Sequence, residues 1–476
     1  MQNSDPIWDH VETHRPDLIG LSDRVWGMPE LLYGEYRSCA EHVAMLRDKG
    51  FRVTEELAGL PTAVMGEAGE GGPVIAILGE YDALPGLSQI AGVAEPQADV
   101  EGGAGHGCGH NLLGSAALLA ACALKDWLAA TGTPGRVRYY GCPAEEGGAA
   151  KAFMVRDGAF DDVDAAITWH PATMTKVDEA QSLANTRMDF TFTGRASHAA
   201  AAPHLGRSAL DAAELMAVGV NYLREHVPQE SRIHYAYLDA GGTAPNVVQA
   251  RTKVRYAIRS TTLAGMLALN ERVKKIANGA AMMTETQVDI SIMSAVSNML
   301  GNTPLEEAMQ AAMDDLGGVP FDEADRAYAR RIQATLTPED IAASYRANGL
   351  DVREDEPLCD YVIPREARGP KMMGSTDVAD VSWKVPTVQA RVSTVAIGTP
   401  GHSWQITAQG KSPAAHKGMT HAAKVMGAVA RMLFTDEVLL ARAKKDHAER
   451  LAREPYSCPI PEEVRPPLVP RPVAAE

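Results

Sequence analysis

Three short apolar runs along the chain end in the same way. PVIAILGEYDALP (73–85), VRYYGCPAEEGG (137–148) and AAITWHP (165–171) each pass from aliphatic or aromatic residues into acidic or histidine side chains, then into glycine or proline. Runs of this length bounded by turn residues predict buried strands that feed loops. Between the first two, Asn111 opens a predicted helix from Leu112 to about Ala130. Its apolar stretch, Leu112–Leu124, falls short of a membrane span and is rich in alanine, so it reads as a buried helix. Residues 18–50 predict helix with a break at GMPE. Strands that alternate with helices imply a largely parallel α/β sheet, and in such sheets a site gathers at the carboxyl ends of the strands.

The pattern changes near residue 183. MDFTFTGRASH alternates apolar and polar positions as a half-buried strand does, and SALDAAELMAVGVNYLREH is an amphipathic helix. VVQARTKVRYAIRS, LAGMLALNERVKKIANGAAMMT and TQVDISIM then read as strand, helix and strand. A strand–helix–strand–strand–helix–strand order suggests a small α+β domain with an open sheet face. From about residue 299 the α/β pattern returns, with strands expected at VPTVQARV and VSTVAIGTP and a long helix around 415–434. The expectation is an α/β catalytic domain with a mostly parallel sheet, formed by 1–183 and 299–476 and interrupted by a smaller domain over 184–298. Seven prolines in the last 22 residues predict an extended tail, 455–476, lying on a surface or a neighbour.

Composition narrows the function. A chain of 476 residues is too long for one ordinary domain, and 45% hydrophobic with 22% charged residues describes a soluble globular protein. The net charge of −16 argues against nucleic acid and anionic membranes as partners. An anionic substrate would then need locally placed cations. Six cysteines (Cys39, Cys108, Cys122, Cys142, Cys359, Cys458) lack disulfide-framework spacing, which fits a reducing compartment. MQNSDPIWDH has no basic region followed by an apolar one, so no secretory signal is read and the expected location is the cytoplasm.

The candidate chemistry begins with GHGCGHN, residues 105–111. In an extended segment Cys108 and His110, two apart, point the same way. The glycines allow close approach to an ion, and the following helix start favours a thiolate. A glycine-rich turn around a buried cysteine is the structural alternative. Glu145 and Glu146 are adjacent carboxylates that diverge, so one can ligate a metal while the other faces a bound water as base; a solvated acidic turn is the alternative. His170 and His402 each follow an apolar run, whereas the rival His416 sits beside Lys417, whose charge opposes a metal. Asp82 suits the orienting partner of a ligating histidine. Asp377 and Asp380 are further acidic candidates, with helix capping as the alternative for Asp377. Taken together, Cys108, His110, Glu146, His170 and His402 exceed the four ligands of a structural zinc site, and no CxxC redox pair is present. The reading is two metal ions roughly 3.5–4 Å apart that share a water.

WGMPELLYGE, GEYDALP, GHGCGHNLLGSA, CPAEEGG, TWHP, GRASHAAAAPHLGRSALDA, TAPNVV, GSTDVADVS, GTPGHSWQ and AHKGM, in this order over nearly the whole chain, resemble the dinuclear metallo-amidohydrolase family of carboxypeptidase G, the aminoacylases and the auxin-conjugate hydrolases. The resemblance implies a zinc-peptidase-like catalytic domain with a ferredoxin-like lid and dimerisation domain. It also implies Cys108 as the ligand bridging two divalent ions, Mn2+ or Zn2+. His110, Glu146, His170 and His402 would complete the set, with Glu145 as general base and His106 outside it. The carboxypeptidase branch carries aspartate at the Cys108 position, and a His-x-Asp motif where this chain reads Glu80-Tyr81-Asp82. His198 resembles an oxyanion histidine given to the partner subunit's site. Asn246 and Arg259 resemble a substrate-gripping pair, with an ordinary exposed strand residue as the alternative for Arg259.

The implied activity is hydrolysis of an N-acyl amino acid or aminobenzoyl-glutamate-type conjugate, a small molecule bearing a carboxylate. Deamination of an amino-substituted aromatic acid and a silent metal-containing scaffold subunit are the rival readings. A homodimer is expected, with a higher oligomer or a homologous partner subunit as alternatives, and no nucleic acid or membrane. Residues 320–370 extend beyond the compact family pattern and could shape the pocket or a subunit interface.

Overall fold

The computed structural model describes residues 5–370 and 374–471, and among these the strands form two sheets. In chain order they are β1 (Arg52–Glu55), β2 (Val64–Glu70), β3 (Val74–Glu80), β4 (Gly135–Cys142), β5 (Ala165–Ala172), β6 (Lys176–Val177), β7 (Ala184–Thr193), β8 (Arg232–Asp239), β9 (Arg251–Ser260), β10 (Gln287–Val296) and β11 (Thr387–Ser393). The main sheet has the order β1-β2-β4-β3-β5-β11-β6. Its centre is parallel, from β4 through β3 and β5 to β11, and the short outer strands are antiparallel.

Strand β3 shows why this sheet is a two-sided core. Every residue of VIAILGE is buried. Ile75 and Ile77 pack on one face with the helices Ile7–Trp26, His110–Thr131 and Pro413–Thr435. Val74, Ala76 and Leu78 pack on the other with Ala150–Arg156 and Val378–Lys384. A strand covered on both faces needs a continuous apolar run rather than alternation. The helix His110–Thr131 is apolar and long enough to cross a membrane, but it is the buried centre of this core. It begins one residue before the expected Asn111, whose side chain donates to Ser22 and Gly410 instead of capping.

VSTVAIGTP does not form the second expected strand. β11 already has β5 on one side and β6 on the other, so no edge is open to it. Residues 394–399 are instead a buried loop, with Ala396 N–H held by Gln409 Oε1 and Ile397 N–H by the Pro357 carbonyl. Burial in a loop leaves the same apolar signal as burial in a strand.

The second sheet, β10-β7-β9-β8, is antiparallel and lies in the chain between β6 and β11. Its alternation is read directly in β7: Met188, Phe190 and Phe192 face the helices Ala209–Leu223 and Leu263–Thr284, which puts Asn185, Arg187 and Asp189 on the opposite face. The tail carries no helix or strand from residue 455 to 471, and residues 472–476 lie outside the described residues. It lies on its own chain: Ile460 is buried against Phe153 and Val296, and Arg156 donates to the carbonyls of Pro461 and Val464.

Candidate metal centre and cavity

The carboxyl ends of the parallel strands bring the sequence-predicted residues together. Asp82 follows β3, Glu145 and Glu146 follow β4, His170 lies near the end of β5, and His402 follows β11. Cys108 and His110 arrive from the start of the helix His110–Thr131. Gly109, between them, has φ +79°, and a Cβ there would lie 3.1 Å from Pro171. A larger residue would strain the turn that aims both side chains inward.

Two groups of ligand-type atoms share one residue. The atoms of Cys108, His110 and His170 lie within 4.8 Å of one another, as do those of Cys108, Glu146 and His402. Cys108 Sγ is 3.3 Å from His170 Nε2, and His402 Nε2 is 3.4 Å from Glu146 Oε1. A third group joins Glu80, His110 and Glu145. Ring orientation is fixed from behind: His110 Nδ1 meets Asp82 Oδ1 at 2.9 Å, and His170 Nδ1 meets the Pro171 carbonyl at 2.8 Å. Asp82 Oδ2 also accepts the Glu146 N–H at 2.9 Å, so one carboxylate positions two residues of the cluster. Ala144 and His402 both adopt left-handed backbone, an uncommon state for residues with a Cβ and one that collects at functional sites.

The electrostatics describe a donor set suited to a cation. Burial pushes the Cys108 thiol up to about 12, and burial also raises Glu146. Glu145 is driven well above the usual carboxylate range by burial and by the charges of Glu80, Glu146 and Asp377. His170 is pulled down to about 4 by burial and by Arg391, which leaves its imidazole neutral. Among the described residues Glu146 Oε1 and His110 Nε2 are buried without a hydrogen bond, each facing an ion-pair neighbour, His402 Nε2 at 3.4 Å and Glu80 Oε2 at 3.2 Å. A thiol, three imidazoles and a carboxylate converging in this way fit divalent transition metals.

Glu80, whose position carries histidine in the carboxypeptidase branch, is paired from the other side. Its Oε1 is 2.6 Å from Lys151 Nζ, which is also 2.6 Å from Asp377 Oδ1. All three side chains are buried. Asp377 is therefore not a cap; its carboxylate grips the Lys151 ammonium and backbone N–H. Lys151 escapes a sequence reading, because one lysine in AAKAFMV looks like the solvated edge of a helix. Asp380 stands apart, accepting from Ser297 and the Tyr456 hydroxyl. His106 bonds the Val25 carbonyl and His416 bonds Asp23.

A cavity of about 950 Å³ opens over the cluster and is walled by both sheets. Cys108, Glu145, Glu146, His170 and His402 line it from the main sheet, and Asn185, Arg187 and Arg259 from the second. Ala347 and Asn348 give the 320–370 segment a place in the wall. Arg391, on β11 opposite His170 in the register, also lines it and bonds Asp178. Sequence reasoning missed Arg187 and Arg391, which occupy ordinary polar positions of strands. His198 and Asn246 are not brought to this cavity; both are exposed on the second-sheet unit, and His198 Nδ1 accepts the N–H groups of Ala200 and Ala201.

Comparison with known proteins agrees with this architecture. Residues 76–337 match the sequence profile of Peptidase family M20/M25/M40. The chain is 46% identical over 471 residues to the B subunit of p-aminobenzoyl-glutamate hydrolase from Escherichia coli, covering 97% of this chain and 98% of that protein. It is 27% identical to the Xaa-Arg dipeptidase of Mus musculus, covering 94% and 92%. Among solved structures, the Bacillus subtilis YXEP protein, a dinuclear metal binding peptidase of the M20 family, superposes with a TM-score of 0.54 at 18% identity over 87% of this chain and 99% of that one. The chain is a hydrolase of amide bonds and belongs to peptidase family M20/M25/M40.

Proposed function

We propose that this protein hydrolyses the amide bond of an aminobenzoyl-glutamate-type conjugate at a dinuclear centre. The observation that carries the reading is the pair of ligand groups sharing Cys108, with Glu145 beside them. Cys108 would bridge two ions, with His110 and His170 in one group and Glu146 and His402 in the other. Divalent ions held by these residues would lower the pKa of a bound water toward neutrality. The thiolate and imidazoles favour zinc, and the Glu146 carboxylate would also accept manganese.

Glu145 takes the proton from the attacking water and later returns it to the departing nitrogen. Its burial and the charges of Glu80, Glu146 and Asp377 raise its proton affinity. Arg259, lining the cavity, offers a planar fork to a substrate carboxylate. His198 would stabilise the oxyanion in a partner subunit's site, a role its exposure and its place outside the chain's own cavity leave open to it. Asn246 would act from the same exposed unit. Residues 184–298 then serve as lid and dimerisation domain, in a homodimer or with a homologous partner chain. The A subunit of the same Escherichia coli hydrolase is 30% identical to this chain over 241 residues, which supports a homologous partner. The six free cysteines support a reducing, cytoplasmic setting.

The test is metal analysis of the purified protein, followed by hydrolysis of p-aminobenzoyl-glutamate with added manganese or zinc. Release of glutamate and p-aminobenzoate is expected; release of ammonia instead would mean deamination and overturn the reading.

A further inference from the structure

The acidic chain needs cations at its substrate cavity, and the second sheet supplies them in a specific register. On the face of β7 and β9 turned away from their helices, Asp189 stands opposite Arg255 and neutralises both it and Lys253, at 2.6 and 2.7 Å. Two steps along the same ladder, the positions nearest the cavity are Arg187 and then Asn185, which stands opposite Arg259. The acidic partner is thus replaced by a neutral amide where the sheet meets the cavity.

Arg187 is the informative residue. Among the described residues it has no carboxylate within 4.0 Å, and its hydrogen bond is a long one, Nη1 to the Glu146 carbonyl at 3.5 Å. Its guanidinium lies against Gly147, where a Cβ would come within 2.0 Å of Nη1, so the loop behind the two glutamates is shaped to admit it. Arg391 on the opposite wall differs in having Asp178 beside it at 2.9 Å.

We infer that Arg187 is a second carboxylate-binding residue alongside Arg259, so that the site selects amides of dicarboxylic amino acids over neutral or basic ones. The inference rests on the amidohydrolase reading for carboxylate-bearing conjugates and names the substrate class within it. Two arginines on one sheet face, beside the metal-ligand cluster, match a leaving group with two carboxylates. A basic side chain would meet Arg187 as a like charge.

The experiment compares p-aminobenzoyl-glutamate with p-aminobenzoyl-glutamine, its isostere with an uncharged side chain, in the metal-loaded wild type and in Arg187→Gln. A site built around a charged group rejects the analogue lacking it, so the wild type should prefer the glutamate conjugate by about 10²-fold in kcat/KM. Arg187→Gln should remove most of that preference by slowing the glutamate conjugate alone. Arg187→Lys should keep part of it, because the charge stays while the fork is lost. Equal slowing of both conjugates, or an unchanged ratio, would overturn the inference. Calorimetric binding of glutarate and of its monoamide gives a readout independent of turnover: wild type should favour glutarate, and Arg187→Gln should bind the two alike. If the wild type cleaves neither conjugate, the proposed function fails. The glutarate comparison then decides Arg187 by itself, and identical binding profiles for wild type and variant would reject it.

Discussion

Asp82 Oδ1 stands 2.9 Å from His110 Nδ1, with both side chains buried, and so decides which nitrogen of that ring faces Cys108. Replacing Asp82 by asparagine keeps the shape but loses the charge that holds the ring and the Glu146 backbone. Loss of such a partner lowers metal affinity by about 10–100-fold. Competition against a chelator measures this, and an unchanged affinity would remove Asp82 from the positioning role.

Glu145→Gln separates proton transfer from metal retention. The variant should bind the same number of metal ions as the wild type while its turnover falls by about two to four decades. A fully active variant would mean that another group takes the proton.

Lys151 is a buried cation between Glu80 and Asp377. Lys151→Met leaves Asp377 buried without its cation and Glu80 with only His110 Nε2 at 3.2 Å, and breaking one side of such a cluster costs about 3–5 kcal/mol. Urea unfolding should show a drop of that order. A stability close to wild type would mean that the carboxylates simply take up protons in compensation.

Asp380 ties pH to the stability of the tail junction. Burial pushes its carboxyl up to about 7, from an ordinary value of 3.8. Between those values the unfolded chain has released the proton and the folded chain still holds it, so folding stability falls as pH rises through that window. Asp380→Asn should flatten the fall relative to wild type between about pH 4 and pH 7. Melting temperatures across that range check it, and parallel profiles for the two proteins would exclude Asp380 as a source.

The candidate ligand cluster is readable in the sequence for one physical reason. Each of its residues sits just beyond an apolar run or in a glycine-rich turn, and a parallel sheet gathers such ends at one edge. Glu80 lies inside its run, so its partner is not legible; Lys151 reads as a helix surface until Asp377 is placed beside it. Arg187 and Arg391 look like the polar half of an alternating strand, and only the register shows which polar face meets the cavity. RIHYAYLD, which forms β8, is mostly exposed. An edge strand with one buried position gives little periodic signal, so it follows from the domain's element order rather than from its own residues. The loop at 394–399 misleads in the opposite sense, being apolar for burial alone.

The β7 and β10 strands, through which the chain passes into and out of the inserted unit, are neighbours in one ladder, with Val296 opposite Asn185 and Ser294 opposite Arg187. The chain therefore enters and leaves the second sheet side by side, at a base that β9 completes with Ser260 opposite Ala184. Arg187 and Arg259 are therefore anchored at the root of their sheet rather than at its far end. Cys108, His110, Glu146, His170 and His402 stand on the main-sheet side. The two arginines and the ligand-type cluster thus come from different sheets and meet where those sheets join.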